Sequence, residues 1–213
     1  MLAGISHDLR TPLARMRLRS LLEASRDPRV EVVGEAADAA TAAALLTETT
    51  PDIALAVGVF TRAACERIAR TAFALASRRR NHVTIVHKAN VLTLTTGLFR
   101  DACRTVAAEY PHVVVDDEHV DAMAAHLVRR GGDFDVVVTE NMFGDILSDL
   151  IAALVGGMGM APSGDIGGKH GLFQPSHGTA PDIAGQDKAN PTAMLLSAAM
   201  MLEWLADRDR KSV

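Results

Sequence analysis

From Thr61 onward, apolar runs of strand length alternate with segments of helical periodicity, and that alternation admits little besides a layered α/β fold. Strands are expected at 82–87, 112–116 and 135–139. Helices are expected at 61–78, 95–108, 119–130 and 142–155, followed by a glycine-rich loop and a last apolar helix over 191–206. Helices between successive strands imply a largely parallel sheet flanked by helices. At 213 residues, 48% of them apolar, the chain has room for one large domain or two small ones and for a buried core.

Two shorter stretches precede this pattern. Residues 1–26 read as helical, with Leu2, Ile5, Leu9, Leu13, Met16 and Leu21 near one face and Pro12 as a kink. Residues 27–57 read as a βαβ unit. Val30, Val32 and Val33 form a strand closed by Gly34, a helix runs from Asp38 to Glu48, and Ile53, Leu55 and Val57 resume a strand after Pro51. The expected organisation is therefore 1–26, 27–57 and 58–213.

Composition narrows the function classes. A formal charge of −4 argues against nucleic acid or an anionic membrane surface as the main partner. No apolar run nears the roughly 18–20 residues that a membrane span needs. Cys65 and Cys103 lie far apart without metal-ligand spacing, and read as buried thiols of a cytoplasmic, reducing compartment. Arg78, Arg79 and Arg80 read as a solvated helix C-terminus.

Four constellations could carry chemistry. Asp145 and Asp149 are four apart on an expected helix, so both carboxylates share one face. Such a pair repels itself unless a hard cation such as Mg²⁺ or Mn²⁺ sits between its oxygens, or the face is simply solvated. His177 through Gly185, with Asn190-Pro191 after it, lets backbone amides approach a ligand, and Asp182 could accept from a ribose hydroxyl. The same stretch could be only a tight connection. Lys88 follows the strand ending at His87, at the strand end where α/β folds bind ligands; it is either a candidate general base or a surface lysine. Asp121 opens a helix, where a carboxylate also suits the helix dipole.

Taken in order, His87-Lys88-Ala89-Asn90, Val120-Asp121-Ala122-Met123, Gly144 to Leu150, His177 to Gly185 and Ala189-Asn190-Pro191-Thr192 resemble the isocitrate/3-isopropylmalate dehydrogenase family over about 59–205. The resemblance implies an isopropylmalate-dehydrogenase-like but incomplete α/β fold. It implies NAD and Mg²⁺ or Mn²⁺ as cofactors, and oxidation with decarboxylation of a malate-type 2-hydroxy acid. By the same likeness Asp145 and Asp149 are metal ligands, Asp121 is the ligand supplied from the second subunit of a homodimer, and Lys88 is the base on the substrate hydroxyl. Asn90 lies beside the nicotinamide, and His177, Gly178, Thr179, Ala180, Asp182 and Asn190 line the cofactor site, with Asp182 favouring NAD over its 2′-phosphorylated relative.

The likeness covers about the C-terminal half of that family. Its substrate-clamping arginines and proton-donating tyrosine belong to the other half, so impaired turnover is expected, and Tyr110 reads as a packing residue. Ser6-His7-Asp8-Leu9-Arg10-Thr11-Pro12 resembles a histidine-kinase phosphoacceptor box over 1–18, and 27–57 resembles the start of a receiver domain. The chain thus reads as a mosaic, with phosphotransfer through His7 or an inert chimeric scaffold as the competing functions.

Overall fold

The computed structural model describes residues 58–167 and 170–211. The expected units over 1–26 and 27–57, His7 among them, lie outside the described residues. A helix α1 (Arg62–Ala76) leads to strand β1 (His82–His87), helix α2 (Thr96–Ala107), strand β2 (Val114–His119) and helix α3 (Val120–Arg130). Strand β3 (Val136–Val138) and helix α4 (Asn141–Leu154) follow, then a hairpin of β4 (Pro162–Ile166) and β5 (Gly171–Pro175), and finally helix α5 (Thr192–Lys211).

Among the described residues, β1 is the centre of a three-stranded sheet ordered β2-β1-β3, with both neighbours parallel to it, as the alternation requires. Strand geometry sends successive side chains to opposite faces. Val83 and Ile85 of β1 and Val136 and Val138 of β3 therefore pack with Phe73 of α1 and Phe99, Cys103 and Val106 of α2. Val86 and Val137 point the other way, onto Met123 and Leu127 of α3 and Leu147 of α4. The sheet is thus sandwiched between α1/α2 and α3/α4. Phe73 and Phe99 are fully buried, and truncating either to Ala would cost about 3–5 kcal/mol.

Several expectations carry over closely. α1 starts where Thr61 accepts the Ala64 amide as an N-cap. α4 is capped by Glu140, whose carboxylate accepts from the amides of Met142 and Phe143. Tyr110 packs as anticipated, stacked on Phe73 at 5.4 Å between ring centroids. Both cysteines are buried and unpaired. Among the described residues, no helix is long and apolar enough to cross a membrane.

Three details differ. The second strand starts at Val114 rather than 112, because the Val113 amide is used in a turn back to the Tyr110 carbonyl and Val114 is the first to pair, with Asn81. It then runs on through Asp116, Asp117 and Glu118, which an edge strand tolerates and which discourage edge-to-edge pairing. The glycine-rich stretch holds the β4–β5 hairpin, whose antiparallel strands are too short and polar to announce themselves; Phe173 packs it against Trp204 of α5. The arginine run is not merely solvated. Arg79 Nε donates to Asp135 at 2.8 Å, the Arg80 amide donates to its other oxygen at 2.8 Å, and Arg78 pairs with Asp207.

Candidate functional site

The candidate residues fall into three groups. The first is at the carboxyl end of β1. The chain leaves the sheet at His87 and turns immediately, with the Lys88 carbonyl accepting from the amides of Val91 and Leu92. The Lys88 amide is itself held by Thr96 Oγ1 at 3.2 Å. This turn aims the Lys88 side chain at Asp121 in the first turn of α3, and Nζ meets Oδ1 at 2.5 Å. The ammonium donating to it holds the Asp121 carboxyl below the usual aspartate range. Asn90 sits exposed in the same turn, among the outward-facing apolar side chains of Val91 and Leu94.

The second group is on α4. Asp145 and Asp149 are exposed one helical turn apart, and neither carboxylate has a hydrogen-bonding or ionic partner among the described residues. Oxygen-only donors left open in this way suit a hard divalent cation. Yet among the described residues no group of three His, Cys, Asp or Glu side chains lies close enough to hold a metal. One chain brings Lys88 and Asp121 together, and brings Asp145 and Asp149 together, but does not join the two pairs into one ligand set.

The third group is the loop before α5. His177 Nδ1 lies 2.8 Å from the Gly178 carbonyl, and Gly178, Thr179 and Ala180 are exposed. Ala180 takes the left-handed conformation at φ 44° and opens a single turn over Pro181–Ile183, which leaves the Asp182 side chain exposed while its carbonyl accepts from Gln186. Asn190 acts structurally, since its side-chain oxygen accepts the Thr192 amide and so closes the first turn of α5. The sequence reading misses His87, Asp117 and Arg104, which gather behind the Lys88 turn. The signal was available in the motif itself, since a histidine at the last position of a central strand is buried and needs a polar partner.

The fold is an α/β domain with a parallel sheet flanked by helices, and the comparisons give its family. The chain belongs to the isocitrate/isopropylmalate dehydrogenase family, whose model matches residues 33–212. It is 56% identical over 152 residues to the 3-isopropylmalate dehydrogenase of Archaeoglobus fulgidus, covering 71% of this chain and 47% of that protein. It is 44% identical over 198 residues to the 3-isopropylmalate dehydrogenase of Nocardia farcinica, covering 90% and 59%. The crystal structure of isocitrate dehydrogenase from Methylococcus capsulatus superposes with a TM-score of 0.68 at 50% identity, over 72% of this chain and 45% of that one. The chain thus spans about half the length of most of these relatives. The family match begins at residue 33, inside the stretch that resembles a receiver, and these comparisons lend no support to the kinase-box or receiver resemblances.

Proposed function

We propose that this chain is the cation- and cofactor-binding portion of a dimeric, NAD-dependent dehydrogenase that oxidises and decarboxylates a malate-type 2-hydroxy acid. The observation carrying the reading is the split ligand set: Lys88 with Asp121 at one place, and open Asp145 with Asp149 on α4. A second copy supplying Asp121 to the α4 pair would complete three carboxylates around one cation. Exposed apolar side chains near both groups support such a copy: Val91 and Leu94 beside Lys88, and Met142 and Ile146 beside Asp145.

When bound, Mg²⁺ or Mn²⁺ would lower the pKa of the substrate hydroxyl and NAD⁺ would accept the hydride. The chain's own contribution centres on Lys88. In the single chain Nζ donates to Asp121. Once Asp121 is engaged elsewhere, Nζ is released from that carboxylate and is free to reach the substrate hydroxyl as its base. The exposed Asp182 and the backbone around Gly178 to Ala180 would receive the adenosine end of NAD, and a carboxylate there would disfavour a 2′-phosphate.

Isothermal calorimetry on the full chain tests this reading. Mg²⁺ or Mn²⁺ and NAD are expected to bind at up to millimolar concentration, with cation binding weakened at least about tenfold by Asp145→Asn or Asp149→Asn. Absence of any heat with either ligand would leave a folded but inert scaffold.

A further inference from the structure

The proposed role of Lys88 depends on where its amine rests, and the chain behind it is held by a residue that the reaction does not use. His87 ends β1 with 2% of its surface exposed. Its Nδ1 accepts the Ala89 amide at 3.1 Å. A ring nitrogen that accepts carries no proton, so in the neutral ring the proton belongs to Nε2. Nε2 lies 3.1 Å from Asp117 Oδ2 and donates to it. The other oxygen of Asp117 accepts from Arg104 of α2. Burial alone would raise the Asp117 carboxyl, but these two donors outweigh it and hold it below the usual aspartate range.

The ring is therefore fixed at both ends. Its edge-on neighbour is His119, its register partner on β2, at 5.4 Å between centroids. Through the ring, the amide immediately after Lys88 is tied to β2 and to α2. A lysine side chain is long and flexible, so its reach is set by the backbone from which it starts.

We propose that His87 is a positioning residue for Lys88: it joins the Ala89 amide on one side to Asp117 on the other, and so delivers the Lys88 amine to Asp121. His87 touches no reacting atom. What Lys88 does once delivered rests on the function proposed above; the delivery itself does not.

Two substitutions separate the two ends of the ring. His87→Asn places an amide oxygen where Nδ1 stands, and can still accept from Ala89. His87→Gln reaches toward Asp117 as Nε2 does, but offers Ala89 nothing. Both are read in the full chain by hydrogen exchange at the Ala89 amide and by acetylation of Lys88 with acetic anhydride, with exposed Lys188 as internal reference. His87→Gln is expected to raise Ala89 exchange and Lys88 acetylation by about tenfold, the scale of one lost hydrogen bond. His87→Asn keeps the Ala89 bond and should leave its exchange within about twofold of the parent, but without the tie to Asp117 its Lys88 acetylation should rise as in His87→Gln.

Ala89 exchange raised equally in both variants would mean that the ring only fills space, and parent-like Lys88 acetylation in His87→Asn would mean that the Asp117 end positions nothing; either would overturn the proposal. So would parent-like values in His87→Gln. Should that variant fail to fold, nitrogen NMR of the unsubstituted chain decides: Nδ1 is expected bare and Nε2 protonated, and a protonated Nδ1 would overturn the proposal. None of these readings uses cation, cofactor or substrate. A positive outcome with no Mg²⁺ or NAD binding would therefore sink the proposed function and leave the positioning role standing.

Discussion

Asp135 shows how much one carboxylate can organise. Its side chain is 1% exposed, and it receives Arg79 Nε on one oxygen and the Arg80 amide on the other. Burial pushes its pKa upward, but the two donors prevail and the carboxyl sits below the usual aspartate range. The sign follows. A depressed folded pKa adds stability that is fully present above the unfolded value near 3.9 and is lost as pH falls through the lower folded value. Asp135→Asn should therefore lower stability by about 1–3 kcal/mol at pH 7, measured by urea unfolding. The gap between parent and variant should close as the pH falls well below 4. A gap that widens in acid would show that some other interaction of Asp135 matters more. None of this is visible in the sequence, where three arginines in a row look like an exposed helix end and Asp135 is merely the first residue of an expected strand.

The elements themselves were more legible than their ends. β1 is a β-branched run, Val83 to Val86, between two histidines, and β3 is three valines; their place in a parallel sheet follows from the helices between them. β2 was shifted because its sequence after Val115 is Asp-Asp-Glu-His, which reads as loop until its edge position is known. The hairpin was missed because a short polar strand has no periodic signature; its pairing depends on Phe173 meeting Trp204, a contact between residues distant in the chain. α4 matters most for the candidate site, since it carries Asp145 and Asp149. Its start rests on Glu140, 7% exposed, accepting two amides of the first turn. Glu140→Ala should cost about 1–2 kcal/mol in urea unfolding, and Glu140→Gln, which keeps an acceptor, should recover part of that loss. A Gln variant no better than Ala would mean that the charge near the helix N-terminus, rather than the hydrogen bonds, is what the cap contributes.

At the scale of the whole molecule, spacing gives the residue types of the candidate site but not their division between two places, which only the family resemblance implies by assigning Asp121 to a second subunit. Sequence spacing puts Asp145 and Asp149 on one face of α4; it cannot say that Asp121 instead meets Lys88 in the same chain. That division makes a physical demand, because two carboxylates give a divalent cation few of the six or more oxygens it takes. If a second copy provides the rest, cation binding and self-association must be linked, each strengthening the other. Met142 and Ile146 allow the linkage to be tested without touching a ligand, since both are more than half exposed on the helix that carries the two aspartates. Replacing them together by Gln adds no charge. If the pair is buried between copies, its loss should weaken the dimer by about tenfold or more, seen in sedimentation as a shift toward monomer. Mg²⁺ or Mn²⁺ affinity measured on the same samples should fall with it, and added cation should shift the parent chain back toward dimer. Undiminished cation affinity in a variant that sediments as a monomer would show that Asp145 and Asp149 bind without a partner's Asp121, and the shared site would have to be abandoned.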